Sequence, residues 1–171
     1  MDIANRQVVL IGMMGSGKTT CGRLLARRLS WGFWDCDEAL TESTGSTAAE
    51  VQRSRGQAVL HAIEHRLLRS ALQARTDTVF AAAGSAVLKP AVLSGVLTVW
   101  LRASLQQEEQ QIAGSGQQHR PLPADPIAVL QQMSADRLPA YERLADITVD
   151  VASDPNVTCD RVIQALAARA K

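Results

Sequence analysis

The sequence has few aromatic residues, few cysteines and almost no net charge. Three tryptophans, two phenylalanines and one tyrosine make up 4% of its 171 residues, so a core of ordinary size must be built mainly from Val, Leu, Ile and Ala. Cys21, Cys36 and Cys159 are odd in number and widely spaced. That argues against a disulfide framework and a cysteine zinc site, and fits free thiols in a reducing compartment. Eighteen Lys and Arg against seventeen Asp and Glu leave a formal charge of +1. So small a field gives no reason to expect nucleic acid or an anionic membrane as partner. Any positive potential must be local. No apolar run approaches the ~20 residues that span a bilayer. Met1–Arg6 also lacks the charged-then-apolar pattern of a signal peptide. A cytoplasmic protein acting on a small molecule is therefore expected.

Hydrophobic residues at 46% and charged residues at 20% fit one globular domain spanning residues 1–171. Short β-rich runs at Val8–Ile11, Phe33–Cys36, Val79–Ala82, Val96–Leu101 and Ile147–Val151 read as strands. Cys21, Leu24, Leu25 and Leu29 share one helical face, as do Val162, Ile163, Leu166 and Ala170. Ala58–Ala74 and Ile127–Leu144 are further helical stretches. Strand–helix alternation implies right-handed crossovers and a five-stranded parallel sheet covered on both faces, an α/β/α sandwich. Gln106–Gln118 is polar and glycine-containing and reads as a mobile loop, placed where a nucleotide-binding fold would carry a lid.

Gly12-Met13-Met14-Gly15-Ser16-Gly17-Lys18-Thr19 fits G-x-x-x-x-G-K-[ST] in full and lies between a strand and a helix. Its glycines let backbone N–H groups turn inward around phosphate oxygens, and the helix N-terminus adds partial positive charge. Lys18 can reach the outer phosphates, and the Thr19 hydroxyl can ligate Mg²⁺. ATP is thus expected in the loop from Gly12 to Thr20. Next comes "FWDCDEAL", with Asp35 and Asp37 at the end of the second strand. Ligands of an open parallel sheet collect beyond the carboxyl ends of its strands. Alternation along an extended segment would point both carboxylates the same way. One could serve Mg²⁺, usually through water, while the other orients an attacking hydroxyl and accepts its proton.

With these residues in hand, the sequence resembles the shikimate kinases from Val8 to Ala168. The carriers are "GMMGSGKTT", the D-x-D of "DCD", "AAAGSAVLKP", "HRPL" and "DRLPAYERLAD". The resemblance implies a monomeric P-loop kinase of aromatic amino-acid biosynthesis, with strand order 2-3-1-4-5 and a small lid at about residues 112–124. It implies that Lys18 and Thr19 handle phosphate and magnesium, with Asp35 holding Mg²⁺ through water. Asp37 would bind the acceptor's hydroxyls and act as base. Arg120 would close over the transferring phosphoryl group, and Arg137 would grip a carboxylate with its planar fork.

The same resemblance exposes departures. Where the family has three glycines after the third strand, this chain has Ala83-Gly84-Ser85, and either side chain would be strained if its position required a positive φ. Counting from Gly56 to Glu64, the family's second carboxylate-gripping arginine falls on His61, which offers one hydrogen bond in place of two charged ones. The arginine that often faces adenine in the family has no counterpart in the sequence near Ile112–Gly116, although Asp154-Pro155 could supply one side of an adenine slot. The phosphate-handling half is thus intact and the acceptor half altered. A divergent shikimate kinase, a kinase for another small hydroxylated acid such as a sugar acid, and a nucleotide-binding relative with little turnover are the readings this leaves.

Overall fold

Val8-Val9-Leu10-Ile11 is apolar at every position, and it forms a strand with no exposed face. The structure is a computed structural model and describes residues 6–104, 106–108, 110 and 126–169. β1 (Gln7–Ile11) is buried along its whole length. Val8 and Leu10 enter one core layer, Val9 and Ile11 the other, as a central parallel strand requires. β2 (Gly32–Asp35), β3 (Thr78–Ala81), β4 (Leu97–Arg102) and β5 (Ile147–Asp150) complete a wholly parallel sheet. Its order is β2-β3-β1-β4-β5, as expected. Val9 sits opposite Phe80 on one side and Thr98 on the other. The loop leaving β1 therefore opens at the middle of the sheet's carboxyl edge.

Helices cover both faces. α1 (Lys18–Leu29) and α6 (Pro155–Arg169) pack Cys21, Leu25, Val162 and Leu166 against Val8, Leu10, Val99 and Leu101. On the opposite face lie α4 (Gln57–Ala74) and α5 (Pro126–Leu144). They bring Leu68, Ala71 and Tyr141 onto Trp34, Phe80 and Trp100. Four of the chain's six aromatic side chains meet in this one layer. Tyr141 stacks on Trp100 with centroids 5.5 Å apart and planes 10° from parallel. Truncating a buried aliphatic residue such as Leu68 to Ala is expected to cost about 2–5 kcal/mol. All three cysteines are buried. Burial, with Cys159 nearby, pushes the Cys21 thiol up to about 12, so it is unreactive at neutral pH. Among the described residues no helix is long and apolar enough to cross a membrane.

Local structure departs from expectation in three places. β2 stops at Asp35, and Cys36 opens α2 (Cys36–Thr44), because Asp35 caps that helix by accepting from the Asp37 N–H at 2.9 Å. α3 (Ala48–Arg55) is a second unanticipated helix. Its signal was local: in "TAAE" the Thr47 hydroxyl accepts from the Glu50 N–H while Glu50 accepts from the Thr47 N–H, a capping box. Leu40, Ala48, Val51 and Leu60 of α2, α3 and α4 form a small separate core. The glutamine-rich stretch begins as helix at Gln106–Glu108, opened by reciprocal Ser104–Gln107 hydrogen bonds. The rest of the expected loop, the lid at 112–124 and Arg120 lie outside the described residues.

Candidate active site

The β1–α1 loop is shaped by its glycines. Gly15 (φ 77°) and Gly17 (φ 81°) occupy the left-handed region, which side chains disfavour. A Cβ on Gly12 would stand 2.7 Å from Ser16 Oγ and 2.8 Å from the Leu101 carbonyl oxygen. Gly17 caps α1 without a side-chain hydrogen bond, which leaves first-turn amides for an outside acceptor at the positive end of the helix dipole. Lys18 Nζ folds over the loop and donates to the carbonyls of Gly12 (2.9 Å) and Met13 (2.8 Å). Thr20 follows Thr19 in the first turn of α1, and both are exposed.

Thr19 and Asp35 come together across the sheet edge, with the Thr19 hydroxyl donating to Asp35 Oδ2 at 2.7 Å. Two hard oxygen donors beside a phosphate loop suit Mg²⁺, an ion that usually keeps several waters. Among the described residues no cluster of three His, Cys, Asp or Glu could hold a metal, so most ligands at this pair would be water and phosphate oxygens. Asp37 does not follow Asp35 by strand alternation, as the sequence suggested. It lies in the first turn of α2, exposed, where the helix dipole favours its negative charge. Both acids remain at the carboxyl end of β2. The geometry that puts them there is a helix cap.

On the opposite side of the cradle, Ala83-Gly84-Ser85 carries no strain. Among the described residues the non-glycine residues with positive φ are Arg6, Ser30 and Asp77, and Ser85 adopts φ −76°, ψ −12°. Glycine matters at 84 for space alone. A Cβ there would sit 2.9 Å from Arg137 Nη1, 3.7 Å from the Gly12 carbonyl oxygen and 3.8 Å from the Tyr141 hydroxyl. Arg137, 4% exposed, thus lies over the Gly84 backbone where α5 meets the phosphate loop. His61 is half-buried on α4, its ring 6.3 Å from that of His65. Pro155 is exposed at the start of α6, where Asp154 accepts from the Asn156 N–H at 2.8 Å.

Four residues around the site are given no role by the sequence. Glu64 and His65 hold Ser85 from α4, and Tyr141 donates from α5 to the Gly84 carbonyl at 3.4 Å. Glu64 was legible in principle, since it interrupts the buried stripe Leu60, Leu68, Ala71 with an acid. Glu108, 3% exposed, keeps Oε2 without a hydrogen-bond partner among the described residues. Burial pushes its carboxyl up to about 7, while the nearby Lys18 ammonium pulls it back down. Nothing in the glutamine-rich sequence marks it.

The family model described as Shikimate kinase matches residues 14–167, a span that takes in the cradle from Met14 onward, both acids and Arg137. The chain belongs to the shikimate kinase family. A shikimate kinase of Synechococcus sp. (strain CC9902) is 35% identical over 170 residues, covering 96% of this chain and 87% of that protein. One from Mycobacterium avium (strain 104) is 38% identical over 149 residues, covering 84% and 83%. The solved shikimate kinase of Acinetobacter baumannii in complex with shikimate superposes with a TM-score of 0.88 at 25% identity, covering 95% of this chain and 93% of that one. The three-layer sandwich and strand order are those of this family of kinases.

Proposed function

We propose that this shikimate kinase family member transfers the γ-phosphoryl group of ATP to a hydroxyl of shikimate. The observation that carries the acceptor side is Arg137. It is a buried cation lying over Gly84, whose open side also faces the carbonyl of Gly12, the first residue of the phosphate cradle. A buried guanidinium in that place suits a carboxylate, which it can bind through a planar fork. In this reading His61 and the Ala83–Ser85 turn also contact the acceptor.

Gly12, Gly15, Ser16, Gly17 and Thr20 belong to the loop that receives the nucleotide's phosphates, with Pro155 and Arg120 contributing around ATP. Lys18 then leaves the Gly12 and Met13 carbonyls and donates to phosphate oxygens. Thr19 and Asp35 would hold Mg²⁺, the latter through water, and the ion would supply positive charge to the nucleotide's phosphates. Asp37 orients the acceptor hydroxyl and takes its proton as the new O–P bond forms. The bond between the γ-phosphorus and its bridging oxygen breaks, and ADP leaves. Arg120, on a lid of about residues 112–124, adds positive charge to the transferring group once water is excluded. The single domain works as a cytoplasmic monomer, with a small-molecule substrate and neither nucleic acid nor membrane as partner.

A coupled assay of ADP release, run with ATP, Mg²⁺ and a panel of hydroxylated acids including shikimate and gluconate, tests this reading. Release that depends on shikimate and disappears in Asp37→Asn supports it. Release with gluconate alone, or with no acceptor, contradicts it.

A further inference from the structure

We propose that Glu64 and His65 are positioning residues for the acceptor: through Ser85 they set the Ala83–Ser85 turn against Arg137. The inference deepens the shikimate reading above and rests on it for its kinetic test.

The turn is held from two sides. From α5, the Tyr141 hydroxyl reaches the Gly84 carbonyl at 3.4 Å, and the Arg137 guanidinium lies over the Gly84 backbone. From α4, the Ser85 hydroxyl donates to Glu64 Oε2. His65 Nε2 lies 2.8 Å from the Ser85 carbonyl oxygen. A carbonyl can only accept, so Nε2 is the nitrogen that carries the proton. Ser85 and Glu64 are both almost completely buried. Hydrogen bonds made away from water to a charged group are among the stronger ones available.

The bond to Glu64 exists because this chain has a hydroxyl at 85, whereas the His65 bond goes to the backbone carbonyl that any residue there would offer. A glycine there would leave the turn with backbone contacts alone. Here the side chain ties it to α4, the helix that also carries His61. Its other neighbour is the phosphate loop, whose Gly12 carbonyl is within 3.7 Å of the space beside Gly84. Arg137 cannot settle closer to the loop than the Gly84 backbone allows. A shift of this turn therefore moves the floor on which the guanidinium rests, and with it the carboxylate that the arginine binds. The P-loop is held by its own internal bonds and left-handed glycines, so its nucleotide contacts do not depend on Ser85.

Steady-state kinetics on the full chain separate a positioning role from a merely structural one. Wild type, Ser85→Ala, His65→Ala and His65→Gln are compared with shikimate and ATP varied in turn. Ser85→Ala and His65→Ala are expected each to raise KM for shikimate about tenfold while KM for ATP stays within about twofold. His65→Gln keeps an N–H donor and should recover most of the loss. The double variant should lose less than the two single effects combined, because both act on one turn. Hydrogen exchange at the Gly84–Ala86 amides is read on the same variants and requires no acceptor. It should accelerate in Ser85→Ala and His65→Ala and return toward wild type in His65→Gln. Wild type that leaves shikimate untouched would defeat the functional reading, while the exchange data would still decide the positioning of the turn. Equal rises in both KM values, a lowered melting temperature with KM unchanged, or unaltered exchange would overturn the inference.

Discussion

The phosphate half and the proposed acceptor half of this site are built by different means. The cradle is one continuous stretch, Gly12–Thr20, held by backbone conformation: left-handed glycines, an uncapped helix start and a lysine folded onto its own loop. The acceptor half is gathered from α4, the turn after β3 and α5, and its cohesion comes from side chains, chiefly Glu64, His65, Arg137 and Tyr141. Backbone devices tolerate little sequence change, because few residues other than glycine enter those conformations without strain. Side-chain devices can be exchanged in pairs. This chain pairs a serine at 85 with a buried acid on α4 and has a histidine at 61, and the fold around them is unaltered.

Breaking the phosphate half should have the largest effect. Lys18→Ala is expected to lower kcat/KM for ATP roughly 10²–10³-fold, the usual loss when one preorganised donor to developing charge is removed. The fold should survive, and circular dichroism alongside the kinetics checks that. On the acceptor side, Arg137→Ala leaves a bound carboxylate without its cation in a buried place. Shikimate affinity should fall by about 3 kcal/mol or more, over roughly a hundredfold. Arg137→Lys should recover only part, since an ammonium lacks the fork. Titration calorimetry reads both variants.

His61→Arg sharpens the comparison. An arginine adds a second cation to the acceptor pocket, so shikimate should bind tighter by about 1.5–3 kcal/mol with ATP affinity unchanged. Unchanged or weaker shikimate binding would mean that the pocket has been rebuilt around the histidine.

The smallest expected effect belongs to Glu108, whose carboxyl is raised from an ordinary 4.5 to about 7. Between those values the unfolded chain has released this proton while the folded chain retains it. Stability from this group is therefore full below the lower value and declines as pH rises through the window. Glu108→Gln cannot ionise, and its melting temperature should fall less than wild type's between about pH 5 and 7. Parallel curves would remove the buried acid from the account.

Much of the fold was legible in the sequence because its signals are local. Val8–Ile11 had to be a two-sided strand, and the glycine loop had to follow it. The helix start at Cys36 was missed because Asp35 reads equally as a strand end and as a cap. That error carried into the supposed common direction of Asp35 and Asp37. The acceptor half was legible only in part. Arg137 was reached through the motif around it, but the Ser85–Glu64 bond joins residues 21 apart, and no short-range pattern announces it. Ser85 looked like a possible strain. Its φ of −76° instead makes it an ordinary residue with a hydroxyl well placed for use.

The central claim is that two separable halves meet at Gly84, one for phosphate and one for carboxylate. Calorimetric titration of ATP and of shikimate into wild type, Lys18→Ala and Arg137→Ala tests it most directly. The account predicts a crossed pattern: Lys18→Ala loses ATP and keeps shikimate, while Arg137→Ala loses shikimate and keeps ATP. Arg137→Ala that binds shikimate as wild type does, or either variant losing both ligands while still folded, would contradict it.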